Sequence, residues 1–176
     1  ETATYSQTFD TKNVSTGKAL IPAVVVSGGN SNYAITLANN TTGVINTLAI
    51  TVTADAKSKV YGASDPALTY GFAPALMAGD SFSGALARDA GASIGSYPIT
   101  QNTLTLGSNY AITYTGANLS ITPKPITVTA DVKSKVYGAS DPALTYTIDS
   151  TLVSGDSFSG ALARVPGVDV GGYAIT

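Results

Sequence analysis

The sequence predicts an all-β protein made of tandem small antiparallel modules, sandwich or β-grasp-like, strung as beads. Three observations carry this. Residues 50–100 and 126–176 align at an offset of 76 without a gap, with 36 of 51 positions identical. Apolar residues recur at two-residue spacing in short runs. Gly, Asn, Asp and Pro cluster between those runs, as turns require. A period of 76 residues is too long for a solenoid repeat and long enough for a small domain with its own core.

The elements follow in order. "NYAIT" (32–36) recurs inside "SNYAIT" at 108–113, so the repeat reaches back beyond residue 50, with one inserted residue on the way. "AITVTA" (49–54) sets Ile50, Val52 and Ala54 against Thr51 and Thr53, the alternation of a half-buried strand. "ALTY" puts Leu68 and Tyr70 on one face. "TLTL" (103–106) alternates again, and "NYAITYT" puts Tyr110, Ile112 and Tyr114 on one face. "APALMAG" (73–79) is the one candidate helical turn. Its counterpart "DSTLVSG" is β-branched and polar, which argues against a helix common to both copies. The expected core is Ile50, Val52, Tyr61, Leu68, Tyr70, Phe82, Leu86, Tyr97 and Ile99, with the equivalents 76 positions later. The copies differ most at "GFAPA" (71–75) against "TIDST" (147–151), which is expected to be surface loop or edge, since cores tolerate wholesale change badly.

"KSKVYGASDPALTY" stands at 57–70 and, letter for letter, at 133–146. The stretch reads as a corner. Gly62 is free to take φ > 0 and turn the strand. Pro66 holds its own φ and pushes Asp65 toward an extended conformation. The Asp65 carboxylate is expected to accept a backbone N–H in the turn, and Tyr61 and Tyr70 to cover the loop from either side. Tyr137, Gly138, Asp141 and Pro142 take the same parts in the second copy. An active-site reading of this loop is the weaker one, because any corner that each module needs would look the same.

Composition offers little chemistry. The chain has no His or Cys, and Glu1 is its only Glu, so the usual acid–base and zinc-ligating groups are missing. A Ser–Lys pairing drawn from Lys57, Ser58 and Lys59 fails on geometry, since Ser58 points to the face opposite the two lysines. Asp55, Asp65, Asp80 and Asp89 are oxygen ligands in principle, but their spacing fits no calcium loop. The Asn-x-Thr matches at Asn39 and Asn40 are chance-level in a Thr-rich chain. A net charge of −2 with 11% charged residues leaves no basic footprint for nucleic acid. No apolar run reaches the roughly 18 residues that a membrane span needs. The sequence thus points to no catalytic residue, cofactor or metal site. The ten tyrosines sit mostly at strand or corner positions, where packing is the stronger reading than ligand binding.

Taken together, "ITVTADAKSKVYGASDPALTY", "GDSFSG", "IGSYPIT" and "NYAITYTGANLSITPKP" resemble the MBG-type domain in its YGX variety. The resemblance implies tandem modules of very large secreted bacterial proteins, filamentous-haemagglutinin-like adhesins among them. "FDTKNVSTGKAL" and "NSNYAITLANNTTGVI" look like the second half of a YDG-type domain, with Val14-Ser15-Thr16-Gly17-Lys18 where that family runs V-G-T-G-K. The implied frame is 1–48 as a YDG-like C-terminal half, 49–125 as a complete MBG-like module and 126–176 as a truncated one. Pro123, Lys124 and Pro125 read as a stiff extended linker between modules.

The expected function is a non-catalytic stalk or spacer segment of a large repetitive adhesin, extracellular or on the bacterial surface, with a glycan- or matrix-binding module as the alternative. The chain is expected to be a window of a longer polypeptide. Its expected partners are neighbouring repeats and, through head-to-tail self-association, further copies of itself. Two arrangements would satisfy the partial pieces. Either 1–100 and 101–176 are permuted complete domains, or 126–176 of one molecule is completed by 1–48 of the next.

Overall fold

The computed structural model describes residues 2–28 and 33–176; it is all-β, with twelve strands and no helix among them. Three strands, β1 (Ala3–Phe9), β2 (Ser15–Val26) and β3 (Asn40–Ile45), form an antiparallel sheet in the order β1-β2-β3. The next seven are β4 (Leu48–Ala54), β5 (Lys57–Val60), β6 (Tyr70–Ala73), β7 (Ala87–Arg88), β8 (Gly95–Thr100), β9 (Tyr110–Thr115) and β10 (Ala117–Thr122). They make two small sheets, β6-β4-β9 and β5-β10-β8-β7. The last two, β11 (Val128–Ala130) and β12 (Tyr146–Ile148), pair antiparallel.

The pleat accounts for the core. Along β4, Ile50, Val52 and Ala54 turn inward and are buried while the intervening threonines face water. Ile50 and Val52 pack with Leu104 and with Tyr70, Phe82, Tyr110 and Ile112. Ala54 packs with Ile99, Leu119 and Ile121 from the other sheet. The two sheets share this interior, as layers of a sandwich do. "APALMAG" forms no helix; it follows β6 and ends in a turn closed by the Asp80 N–H donating to the Met77 carbonyl.

Three expectations need correction. The sheets are mixed rather than purely antiparallel, since β4 runs parallel to β9 and β5 parallel to β10. Those two pairings also cross residue 100, so 1–100 and 101–176 are not two permuted domains. The third concerns the core of the second copy. Ile126, Leu144, Leu162, Tyr173 and Ile175 are half-buried, but Val128, Tyr137, Tyr146 and Phe158 are exposed. Val52 is 0% exposed and its counterpart Val128 44%. The cause is non-local, because residues 126–176 contain no counterpart of β9 or β10 to cover that face.

In the first copy Tyr61, Leu68, Leu86 and Tyr97 line one cluster, Tyr70 and Phe82 the other, and Leu86 touches both. The divergent residues 71–75 lie on the edge strand β6 and just past it, all exposed. Phe72 sits there at the rim, edge-on to Phe82 with ring centres 5.0 Å apart. Their counterparts 147–151 are likewise exposed apart from half-buried Ser150. Of "NYAIT" (32–36), Asn32 lies outside the described residues and Tyr33–Thr36 belong to no strand. "GGYAIT" (171–176) pairs with residues 163–165 through the Arg164–Ile175 bridge.

Candidate functional site

The "YGASDP" corner is built from its backbone upward. β5 ends at Val60, Gly62 takes φ +82, and the Ala63 N–H closes the turn onto the Val60 carbonyl. Gly138 repeats this at φ +80. These are left-handed values that a Cβ disfavours, as the position of glycine implies.

Asp65 takes a different part from the one its sequence suggested. Its carboxylate caps no local N–H. It is gripped by the Arg88 fork, with Nε 2.7 Å from Oδ2 and Nη2 3.2 Å from Oδ1. Lys59 Nζ lies 2.7 Å from Oδ1 and also donates to the Ala63 carbonyl. The Arg88 hydrogen bonds first, and those of Lys59 second, hold the Asp65 carboxyl down at about 2. Arg88 meanwhile donates through Nη1 to the carbonyls of Asp89 and Gly91, and its guanidinium lies 5.3 Å from the centre of the Tyr97 ring. Tyr97 Oη donates to the Ser93 carbonyl at 2.7 Å. This clasp ties the corner to β7 and to the loop leading into β8.

The second copy rebuilds the clasp. Asp141 meets Lys135 Nζ at 2.5 Å and Arg164 Nε at 2.8 Å. Arg164 caps the Val165 and Gly167 carbonyls and lies 5.2 Å from the Tyr173 ring centre. The Asp141 carboxyl is again lowered, first by Arg164 and then by Lys135. Gly91 and Gly167 make room for the rings, since a Cβ would come within 2.0 Å of Tyr97 Cε1 and 1.9 Å of Tyr173 Cε1. Sequence reasoning missed Arg88 and Gly91, and it placed Tyr97 in the core without its part in the clasp. The available signal was that the chain has two arginines, Arg88 and Arg164, standing at the repeat offset.

Pro66 and Pro142 follow these carboxylates in stretches that belong to no strand. The remaining candidates do not converge. Lys57 Nζ donates to Thr69 Oγ1 at 2.6 Å, and Thr69 donates to Asp55, while Ser58 faces solvent. Asp80 accepts from Tyr110 Oη at 2.6 Å, which raises the Tyr110 pKa, and lies 3.7 Å from Lys12. The Asp89 N–H donates to the Pro98 carbonyl. Asn40 Oδ1 caps the Thr42 N–H at 2.8 Å. Among the described residues no group of three or more His, Cys, Asp or Glu comes together.

The joint between the copies is specific. Val153 packs on the first corner, where a Cβ at Gly62 would lie 2.4 Å from Val153 Cγ2. Tyr61 Oη reaches Asp156 Oδ1 at 3.4 Å. In the linker, Lys124 Nζ donates to the Thr151 carbonyl at 2.5 Å, while Pro123 and Pro125 stay exposed in no strand. Asp80, the counterpart of Asp156, faces Lys12 in the turn between β1 and β2. Each Gly-Asp-Ser loop thus touches the unit that precedes it.

The profile of the MBG domain (YGX type) matches residues 50–120 and again 126–176. The chain belongs to the MBG domain family. Its two MBG copies carry Tyr61-Gly62 and Tyr137-Gly138 at the corners just described. No part of the match falls on residues 1–49, so the YDG-type resemblance of that stretch gains no support from it. No curated protein and no solved structure matches the chain.

Proposed function

We propose that this tandem MBG segment is a non-catalytic spacer in a large repetitive bacterial adhesin, extracellular or cell-surface, that holds other domains at a distance. The observation that carries the reading is the joint. Val153 and Asp156 of one module meet Gly62 and Tyr61 of the module before it, a contact that limits bending. The clasps support it too, because ion pairs and ring stacking spent on rebuilding the same corner leave those groups no free chemistry. Membership of a family of repeat domains agrees with this use.

The test exploits the absence of cysteine. Spin labels at Ser58→Cys and Ser159→Cys, measured at high dilution, should give one narrow inter-label distance. It should broaden when Val153→Gly is combined with Tyr61→Ala. A broad distribution in the unmodified joint would sink the spacer reading.

The second reading, glycan or matrix binding along the stalk, draws on tyrosines that open onto grooves. Tyr5 and Tyr33 line one of about 840 Å³ against β1 and β2, and Tyr137 lines another of about 470 Å³. Saturable binding to a glycan array, lost in Tyr5→Ala or Tyr137→Ala, would replace the spacer reading with this one.

A further inference from the structure

The chain enters the complete module at Leu48 and leaves it at Thr122, and both ends belong to one continuous pairing. Leu48 to Thr53 face Tyr110 to Thr115, and Lys57 to Val60 face Leu119 to Thr122. Leu48 with Tyr110 and Lys57 with Leu119 are each 62 positions apart, so the two ladders share one register. Residues 48–60 and 110–122 are therefore two long stretches lying side by side and parallel. Each passes from one sheet to the other at a short break, residues 55–56 in the first and Gly116 in the second. The Leu48 N–H closes the near end onto the Asn109 carbonyl, and the Tyr61 N–H closes the far end onto the Thr122 carbonyl.

This register decides how the module meets a pull along the chain. Because the stretches are parallel, entry and exit lie at opposite ends of the ladder, roughly 40 Å apart at about 3.3 Å per residue. Tension draws β4 back and β10 forward along their own axes. The evenly spaced cross-strand hydrogen bonds then share the pull, whereas strands parted from one end give way a bond at a time. Neither strand is free on its other side, since β4 lies between β6 and β9, and β10 between β5 and β8. Sliding also displaces Ile50, Val52, Leu119 and Ile121, all buried on these same strands. A slip of one residue would turn their apolar side away from the core.

We propose that the complete module is a tensile clamp, whose parallel ladder of 48–60 with 110–122 takes in shear the force passed between the domains on either side. The inference deepens the spacer reading and rests on it for the source of that force. A spacer under drag keeps its folded length only if its modules resist being drawn out. The ladder supplies that resistance along the chain and not across it. It is a kinetic resistance, because forced unfolding follows the unfolding rate rather than the equilibrium stability.

Pulling single molecules of the whole chain in two directions tests this. The chain has no cysteine, so handles attach at introduced ones. Thr47→Cys with Pro123→Cys loads the ladder lengthwise, and Thr47→Cys with Ser108→Cys parts β4 from β9 at one end. All three side chains are exposed, so both double variants should keep the parent Tm. At equal loading rate the lengthwise pair should yield at a force several times that of the other pair. It should do so in one event that lengthens the tether by roughly 220 Å, the extended span from 47 to 123 less the folded ladder. Equal forces, a weaker lengthwise pair or a gradual lengthwise extension would overturn the proposal. The spin-label distance across the joint separates this outcome from failure of the spacer reading. A narrow distance with equal forces sinks the clamp alone, and a broad distance with unequal forces sinks the spacer alone.

Discussion

Arg88 and Asp65 stand 23 positions apart and meet through two hydrogen bonds of 2.7 and 3.2 Å. The Arg164–Asp141 pair repeats the contact at 2.8 Å. One guanidinium thereby fastens a corner, caps two carbonyls and carries a tyrosine ring. Arg88→Lys should lower the Tm of the complete module more than Lys57→Met does, because an ammonium cannot make the fork, the two caps and the stacking together. Thermal unfolding of the two variants side by side decides this. Equal Tm values would mean that the clasp adds nothing.

Lys59 and Lys57 lie two residues apart on β5 but meet different partners. The Lys59 side chain is 11% exposed and contacts Asp65, whereas Lys57 bonds an exposed threonine hydroxyl. Lys59→Met should therefore destabilise the module, and Lys57→Met should stay within about 0.5 kcal/mol of wild type. Chemical denaturation midpoints measure both.

The clasp also predicts an acid limb. The folded Asp65 carboxyl is depressed to about 2, below its ordinary value of 3.8. A depressed carboxylate contributes stability that is fully present above the unfolded pKa and is lost as pH falls through the folded one. The Tm should accordingly drop between about pH 4 and pH 2, with Asp141 adding in the same direction. Asp65→Asn should flatten the part of that slope belonging to the complete module. An unchanged slope would assign the acid limb to other carboxylates.

Gly91 tests the approach of backbone to ring. Gly91→Ala pushes a methyl into Tyr97 and should cost roughly 1–3 kcal/mol, the usual range for overpacking. Gly107→Ala adds a Cβ with nothing within 4 Å and should stay within about 0.5 kcal/mol. Similar losses at both sites would show that the Tyr97 ring moves aside freely.

Ile50 and Ile126 occupy matching positions in identical "ITVTAD" stretches, yet Ile50 is fully buried and Ile126 only half-buried. In dilute protein Ile50→Ala should cost roughly 2–5 kcal/mol, the range for a core truncation, and Ile126→Ala clearly less. Equal costs would mean that the second copy is as well covered as the first.

That last pair marks the line between what sequence and tertiary structure decide here. The period of 76, the two-residue alternation and the glycines of the corners were legible from sequence, because repeat length, pleat and φ preference are properties of neighbouring residues. They determined the all-β class, the inward side of β4 and the positive φ at Gly62 and Gly138. The partner of Asp65 was not legible, since pairing with Arg88 depends on β7 arriving beside the corner from 23 residues away. Nor was the parallel course of β4 with β9 and of β5 with β10, because alternation is the same whichever way a neighbour runs. Val52 and Val128 are the plainest case. The stretch "ITVTAD" around each is the same, and only the presence of β9 and β10 over one of them makes it core, because burial is a relation to distant strands.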